Sequence, residues 1–294
     1  MNFLYVGGVL SAVLAGVCNF SGQILQKKSV NRIPKHLNKS ERAKYLLKNK
    51  LWLIGLFIYI GMSTVFYMIA EYLTGPVLVP GIMTSGLLIL PFAASKILGE
   101  KNGLKEISGI FLLVSGTVLI ALSRIVILPD EVDLSDKDLL FRIFYLTAGT
   151  VLSWIAFDVF ARFNKRKRGV LKGFAAGFPY VLSNFWIFPL YGSMIPVFNG
   201  QFSSVYIIFF VLSAVILIIT NILGISELQA AFRYEDVSIV APVQQIPIQI
   251  APLFYYFFVF GNRIAGLSSN IYIISGVILI LISGFLLSKV NIKV

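Results

Sequence analysis

Long apolar runs separated by short polar or charged loops recur nine times along this 294-residue chain. None of them alternates polar and apolar positions as a barrel strand would. Each approaches the roughly 20 residues a helix needs to cross a hydrocarbon core. The runs predict spanning helices over Phe3 to Gln26, Leu51 to Ala70, Val77 to Leu98, Ile107 to Ser123 and Leu140 to Ala161, then Gly173 to Met194, Ser203 to Ile225, Val237 to Phe260 and Ile271 to Ser288. Backbone polar groups in lipid must be satisfied within the segment, so the expected fold is an all-α polytopic membrane protein.

Composition supports that solvent: 57% of residues are hydrophobic and 13% charged, which is too apolar for an ordinary soluble domain. The net charge of +12 does not point to nucleic acid, because the basic residues sit in short loops where they set topology. Lys27, Lys28, Arg32, Lys35, Lys39, Arg42, Lys44, Lys48 and Lys50 follow the first span, and Arg162, Lys165, Arg166, Lys167, Arg168 and Lys172 follow the fifth. Both groups belong in the cytoplasm by the positive-inside rule, which puts the N-terminus outside and the C-terminus, with Lys289 and Lys293, inside. The opposite-side loop after the fourth span agrees, with Asp130, Glu131, Asp133, Asp136 and Asp138 against Lys137 alone. The first span lacks a basic leader and Val17 spoils a lipoprotein-type cleavage site before Cys18, so it reads as a retained helix.

Cys18 and His36 are the only residues of their kinds, so neither an internal disulfide nor a His-based zinc site is expected. With no glycine-rich phosphate loop and no nucleophile-and-base pair, the chain does not read as an enzyme and implies no cofactor. The amphipathic piece Leu37 to Lys50 reads equally as a soluble basic loop or a segment resting on anionic headgroups.

The chain also compares with itself. Tyr72 to Pro80 (YLTGPVLVP) aligns with Tyr234 to Pro242 (YEDVSIVAP), and the same offset pairs Gly99 and Glu100 with Gly261 and Asn262. Small residues then mark the following helices: Ser108, Gly109, Ser115 and Gly116 in one half, Ser275, Gly276, Ser283 and Gly284 in the other. This organisation predicts a first repeat over 1–124, a linker helix with its basic loop over 125–170, and a second repeat over 171–294. An odd helix between two four-helix units inverts one against the other (4+1+4), a recurrent plan of secondary transporters.

Tyr72 to Lys101 (YLTGPVLVPGIMTSGLLILPFAASKILGEK), followed by the Gly109 and Gly116 helix, resembles the closing part of an EamA-like repeat of the drug/metabolite transporter superfamily. Within it, the lysine pair ending Gln23 to Lys28 (QILQKK) and the Val240 to Pro242 turn are most similar to the nine-helix NIPA-like magnesium-transporter branch. The second repeat differs at Asn262 and Arg263, where the first has an acidic and basic pair. The resemblance implies solute or magnesium transport.

Candidate transport residues follow from polarity at membrane depth. Asn19 and Gln23 share a face of the first span with Gly16, Thr84 lies on the third, and Tyr180 and Asn184 continue the Gly173 and Gly177 stripe of the sixth. Gln245 and Gln249 lie one turn apart on the eighth, between Pro242 and Pro252, while Gln244 falls about 100° away. These amides read either as substrate contacts or as interhelix glue. Pro80, Pro91, Pro242, Pro247 and Pro252 are candidate helix breaks, Pro80 and Pro242 equally readable as N-terminal prolines. Asp158, Glu71 and Glu227 are the candidate ion- or proton-coupling carboxylates, with Asp158 also readable as the partner of Arg162.

The expected function is a cell-membrane secondary transporter moving a small polar or amphipathic solute by alternating access, with the first, third, sixth and eighth helices around a midplane cavity. A magnesium transporter and a non-transporting membrane scaffold are the alternatives. Expected partners are the solute or ion and membrane lipids, with a homodimer left open.

Overall fold

The computed structural model describes residues 3–34, 36–74, 79–123, 134, 136–200, 202–261 and 266–289, and all regular structure among them is helical. Nine helices among the described residues are long and apolar enough to cross a bilayer: Leu4–Val30, Lys50–Ala70, Val79–Leu98, Leu104–Leu122, Lys137–Phe163, Lys165–Phe198, Ser204–Ala231, Val237–Val259 and Leu267–Ser288. This is the architecture of a multi-pass membrane protein. Its surface agrees, since large apolar side chains such as Leu10, Phe141 and Ile218 point outward while Gln23, Gln26 and Gln244 are buried.

Several helices outrun their apolar segments. The first carries Lys27 and Lys28 in its last turn, and the sixth begins beside Arg168, five residues before the predicted start at Gly173. Charged residues are competent helix formers, so hydrogen bonding continues past the end of the apolar stretch. The basic residues Lys27, Lys28 and Lys172 therefore lie on helices rather than in loops.

Four of the spans depart from regular α-helix or carry internal prolines. The second widens into a π-turn at Phe57–Met62. The third is two short helices, Val79–Thr84 and Leu90–Leu98, joined by a narrow 3-10 turn at Ser85–Ile89. The eighth runs helically from Val237 to Phe254 through Pro242, Pro247 and Pro252, then widens at Tyr255–Val259. The sixth holds Pro179, Pro189 and Pro196 within one helix. Wide and narrow turns leave carbonyls outside the regular ladder, and at membrane depth those need protein or water as a partner.

The chain divides into two compact units: residues 1–124, 229–243 and 266–294 form one, and residues 125–228 and 244–265 the other. In the first unit, helix packing depends on glycine. A Cβ on Gly116 of the fourth span would lie 2.6 Å from the carbonyl oxygen of Gly276 on the ninth, and a Cβ on Gly276 would lie 2.7 Å from that of Gly116. Ser283 Oγ also donates to the Gly109 carbonyl at 2.6 Å. Close backbone approach supplies the van der Waals contact that must replace the hydrophobic effect between helices in lipid. The first and second spans meet the same way at Gly22 and Gly55.

The second unit packs on aromatic rings. Phe185, Trp186 and Tyr255 form its centre with Val181 and Leu182. The polar ends of those rings are satisfied, as Tyr255 donates to the Val181 carbonyl at 2.6 Å and Trp186 Nε1 to Thr147 Oγ1 at 3.2 Å. Burying such rings while pairing their donors is the condition for placing Tyr and Trp in a core.

Candidate functional site

In the first unit, one stripe of the first span carries two fully buried carboxamides. Gln23 Nε2 donates to Asn19 Oδ1 at 3.0 Å, and Gln26 Oε1 accepts from Gln229 Nε2. Gln229 Oε1 in turn accepts from Trp52 Nε1 of the second span at 3.2 Å. The result is two separate carboxamide pairs, Asn19 with Gln23 and Gln26 with Gln229, with Gln23 and Gln26 both 0% exposed. Each is incomplete: Gln23 Oε1 and Gln26 Nε2 have no hydrogen-bond partner. Sequence reading selected Asn19 and Gln23 but missed Gln26, Gln229 and Trp52. Gln26 was legible, being one helical turn from Gln23.

Just beyond, the Lys27 ammonium donates to the carbonyl oxygens of Phe232 and Glu235, the latter at 2.6 Å. Those carbonyls follow the seventh span, where a helix end exposes unpaired acceptors. Lys27 was read from sequence as a topology charge, yet it is 5% exposed and tied to backbone.

Glu100, in the loop after the third span, sits against the start of the eighth. Its carboxylate accepts from the Val237 and Ser238 amides at 2.9 and 3.3 Å and from Ser238 Oγ at 3.0 Å. A carboxylate at a helix N-terminus satisfies orphan N–H groups and meets the positive end of the helix dipole. Burial nevertheless pushes its carboxyl above the ordinary value; the Val237 bond opposes this, the neighbouring Asp236 charge adds to it, and the Ser238 bonds oppose it.

Asp158 and Glu227 come together in the second unit, and the cation between them is Lys172. Its ammonium contacts Asp158 Oδ1 and reaches Glu227 Oε2 at 2.9 Å, while Arg162 grips Asp158 Oδ2 at 3.0 Å through Nε and 2.7 Å through Nη2. Two carboxylates and two cations thus balance, joining the fifth, sixth and seventh spans. The Asp158–Arg162 pairing expected from their i, i+4 spacing is present. Sequence reading placed Lys172 in a loop and could not see the bridge, because nothing in one dimension shows that these helices meet. The side chain of the third candidate, Glu71, lies outside the described residues, as do Asn262, Arg263 and the acidic residues Asp130, Glu131 and Asp133.

On the eighth span Gln249 Nε2 donates to Gln245 Oε1 at 3.3 Å, and both side chains are half-buried. Gln244, around the helix, is 1% exposed and its Oε1 has no partner. Close to it the sixth span approaches backbone to backbone, for a Cβ on Gly177 would lie 2.5 Å from the Gln244 carbonyl oxygen and 2.4 Å from Pro247 Cγ. Tyr180 lies against Gly224 of the seventh span, and Asn184 is exposed. Thr84 donates to the Pro80 carbonyl of its own helix at 2.8 Å. Pro80 is exposed, whereas Pro91 is buried directly after the narrow turn.

Among the described residues no three His, Cys, Asp or Glu side chains gather as a metal site. Compared with known proteins, the chain matches no family model, no curated protein and no solved structure.

Proposed function

We propose that the chain is a secondary transporter of the drug/metabolite type that carries a small polar or amphipathic solute across a cell membrane. In this reading two inverted four-helix repeats exchange outward-open and inward-open shapes, with the N-terminus outside and the C-terminus cytoplasmic. The observation that carries it is the incomplete hydrogen bonding of Gln23 and Gln244, buried in spans that would lie in lipid. A buried amide without a partner costs about 1–3 kcal/mol. A helix bundle serving only as a scaffold gains nothing from that cost, whereas a transporter recovers it when solute binds.

The π- and 3-10 turns in the second, third and eighth spans support the same reading, because irregular backbone at membrane depth is tolerated where protein or a water-filled path satisfies it. The test is a thermal-shift screen of purified protein against polar metabolites and divalent cations, followed by uptake into proteoliposomes. A solute that stabilises the protein and then accumulates in vesicles supports transport. Magnesium as the sole stabilising and accumulating species would move the assignment to the ion transporter, and no flux of any species would leave a scaffold.

A further inference from the structure

We propose that the first span carries a recognition site for a neutral carboxamide group, formed by Gln23 Oε1 as acceptor and Gln26 Nε2 as donor; this rests on the transport reading and names its substrate class. The argument begins with charge. Every buried charged side chain among the described residues is already engaged: Lys27 on two carbonyls, Glu100 on the eighth span's amides, Glu106 on the Gly103 amide, and Asp158 with Lys172. What the spans leave unpaired in their carboxamides is neutral: Gln23 Oε1, Gln26 Nε2 and Gln244 Oε1.

Two of these three belong to one helical stripe. Gln23 and Gln26 are three positions apart, which brings their Cβ atoms within about 5–6 Å. One end of each amide is already bonded. Gln23 gives its Nε2 to Asn19, leaving the oxygen; Gln26 gives its oxygen to Gln229, leaving the Nε2. The Gln229 amide is itself oriented by Trp52 Nε1, a group that can only donate, so the direction of the chain from Trp52 to Gln26 is set. The stripe therefore offers one acceptor and one donor three positions apart on the helix.

A primary carboxamide presents the complementary pair, with its N–H toward Gln23 Oε1 and its carbonyl toward Gln26 Nε2. A carboxylate would satisfy Gln26 but face Gln23 Oε1 with a second acceptor, and an ammonium would satisfy Gln23 but leave Gln26 unpaired. Either ion would also bring a charge to a site where both glutamines are 0% exposed and none of the charged groups named above remains unengaged. A site built to pair both atoms discriminates through the group it would leave unmatched.

Benzamide, benzoate and benzylamine test this, being close in size and differing in charge. Their effect on thermal unfolding is measured on the full-length protein in lipid nanodiscs near neutral pH. Benzamide is expected to raise the midpoint in a saturable manner, benzoate and benzylamine to leave it within error, and Gln23→Leu with Gln26→Leu to abolish the benzamide shift. Should that pair not fold, Gln23→Met and Gln26→Met serve singly; the first removes the acceptor, the second the donor, and each is expected to weaken benzamide at least tenfold. No shift with benzamide, a larger shift with either ion, or a benzamide shift that survives the substitutions overturns the site. Uptake of a charged solute by wild type and by a Gln26→Leu variant alike would retain transport and refute this inference alone.

Discussion

Glu100 accepts the amide N–H of Val237 at 2.9 Å, so a side chain from the loop after the third span completes the first turn of the eighth. The same carboxylate takes the amide and hydroxyl of Ser238, leaving this helix start capped from 137 residues away rather than by its own preceding residues. Glu100→Ala removes both acceptor oxygens, and with them all three hydrogen bonds, and leaves buried N–H groups unpaired. A loss of about 1–3 kcal/mol per orphaned group is expected in detergent unfolding experiments.

Glu100 also gives stability a pH dependence. Burial makes the folded carboxyl hold its proton more tightly than the unfolded one, whose usual value is 4.5. A raised acid favours the folded state fully below the unfolded value and loses that contribution as pH rises through the folded value. Wild type is expected to lose stability over this window, and Glu100→Gln to flatten the slope. Parallel curves for the two proteins would show that Glu100 does not titrate there.

Lys172 is the keystone of the charge cluster. Its side chain is 11% exposed between Asp158 and Glu227, at 12% and 13%. Lys172→Met leaves two carboxylates facing each other without their shared cation, and breaking a buried ion pair costs about 3–5 kcal/mol. Adding Asp158→Asn and Glu227→Gln removes the uncompensated charge and is expected to restore most of that loss. A triple variant as unstable as the single would indicate that methionine fails on packing.

The fourth and ninth spans offer a steric test. Gly276→Val would place Cβ 2.7 Å from the Gly116 carbonyl oxygen, well inside contact distance, and a backbone oxygen cannot rotate away. Overpacking of this kind costs about 1–3 kcal/mol, read as a lower unfolding midpoint. The Gly149 control faces open space on the fifth span, and Gly149→Ala is expected to be neutral or slightly stabilising.

The spanning helices were legible because one physical quantity, apolar length, determines them. Their ends were not: Lys27 and Lys172 look like loop residues to a hydropathy reading, although both continue helices and bury their ammonium groups against partners. Polar faces were partly legible. Gln23 and Asn19 do bond one another as their i, i+4 spacing allows, and so do Gln245 and Gln249. Gln244 differs, since its deep burial depends on the close approach of Gly177, which is a property of two helices and not of one. Proline content alone does not mark the wide turns at Phe57–Met62 and Tyr255–Val259, where no proline stands, while Pro91 directly follows the narrow turn at Ser85–Ile89. Pairings such as Glu100 with Val237 or Gln26 with Gln229 join positions over a hundred residues apart and leave no local trace.

Transport through unpaired carboxamides is tested most directly by uptake into proteoliposomes, using a solute that raises the unfolding midpoint of the purified protein. Wild type is expected to accumulate it, and a folded Gln23→Leu, Gln244→Leu variant to fall to the level of empty vesicles. Equal uptake by the two proteins, or none by wild type, would contradict the account.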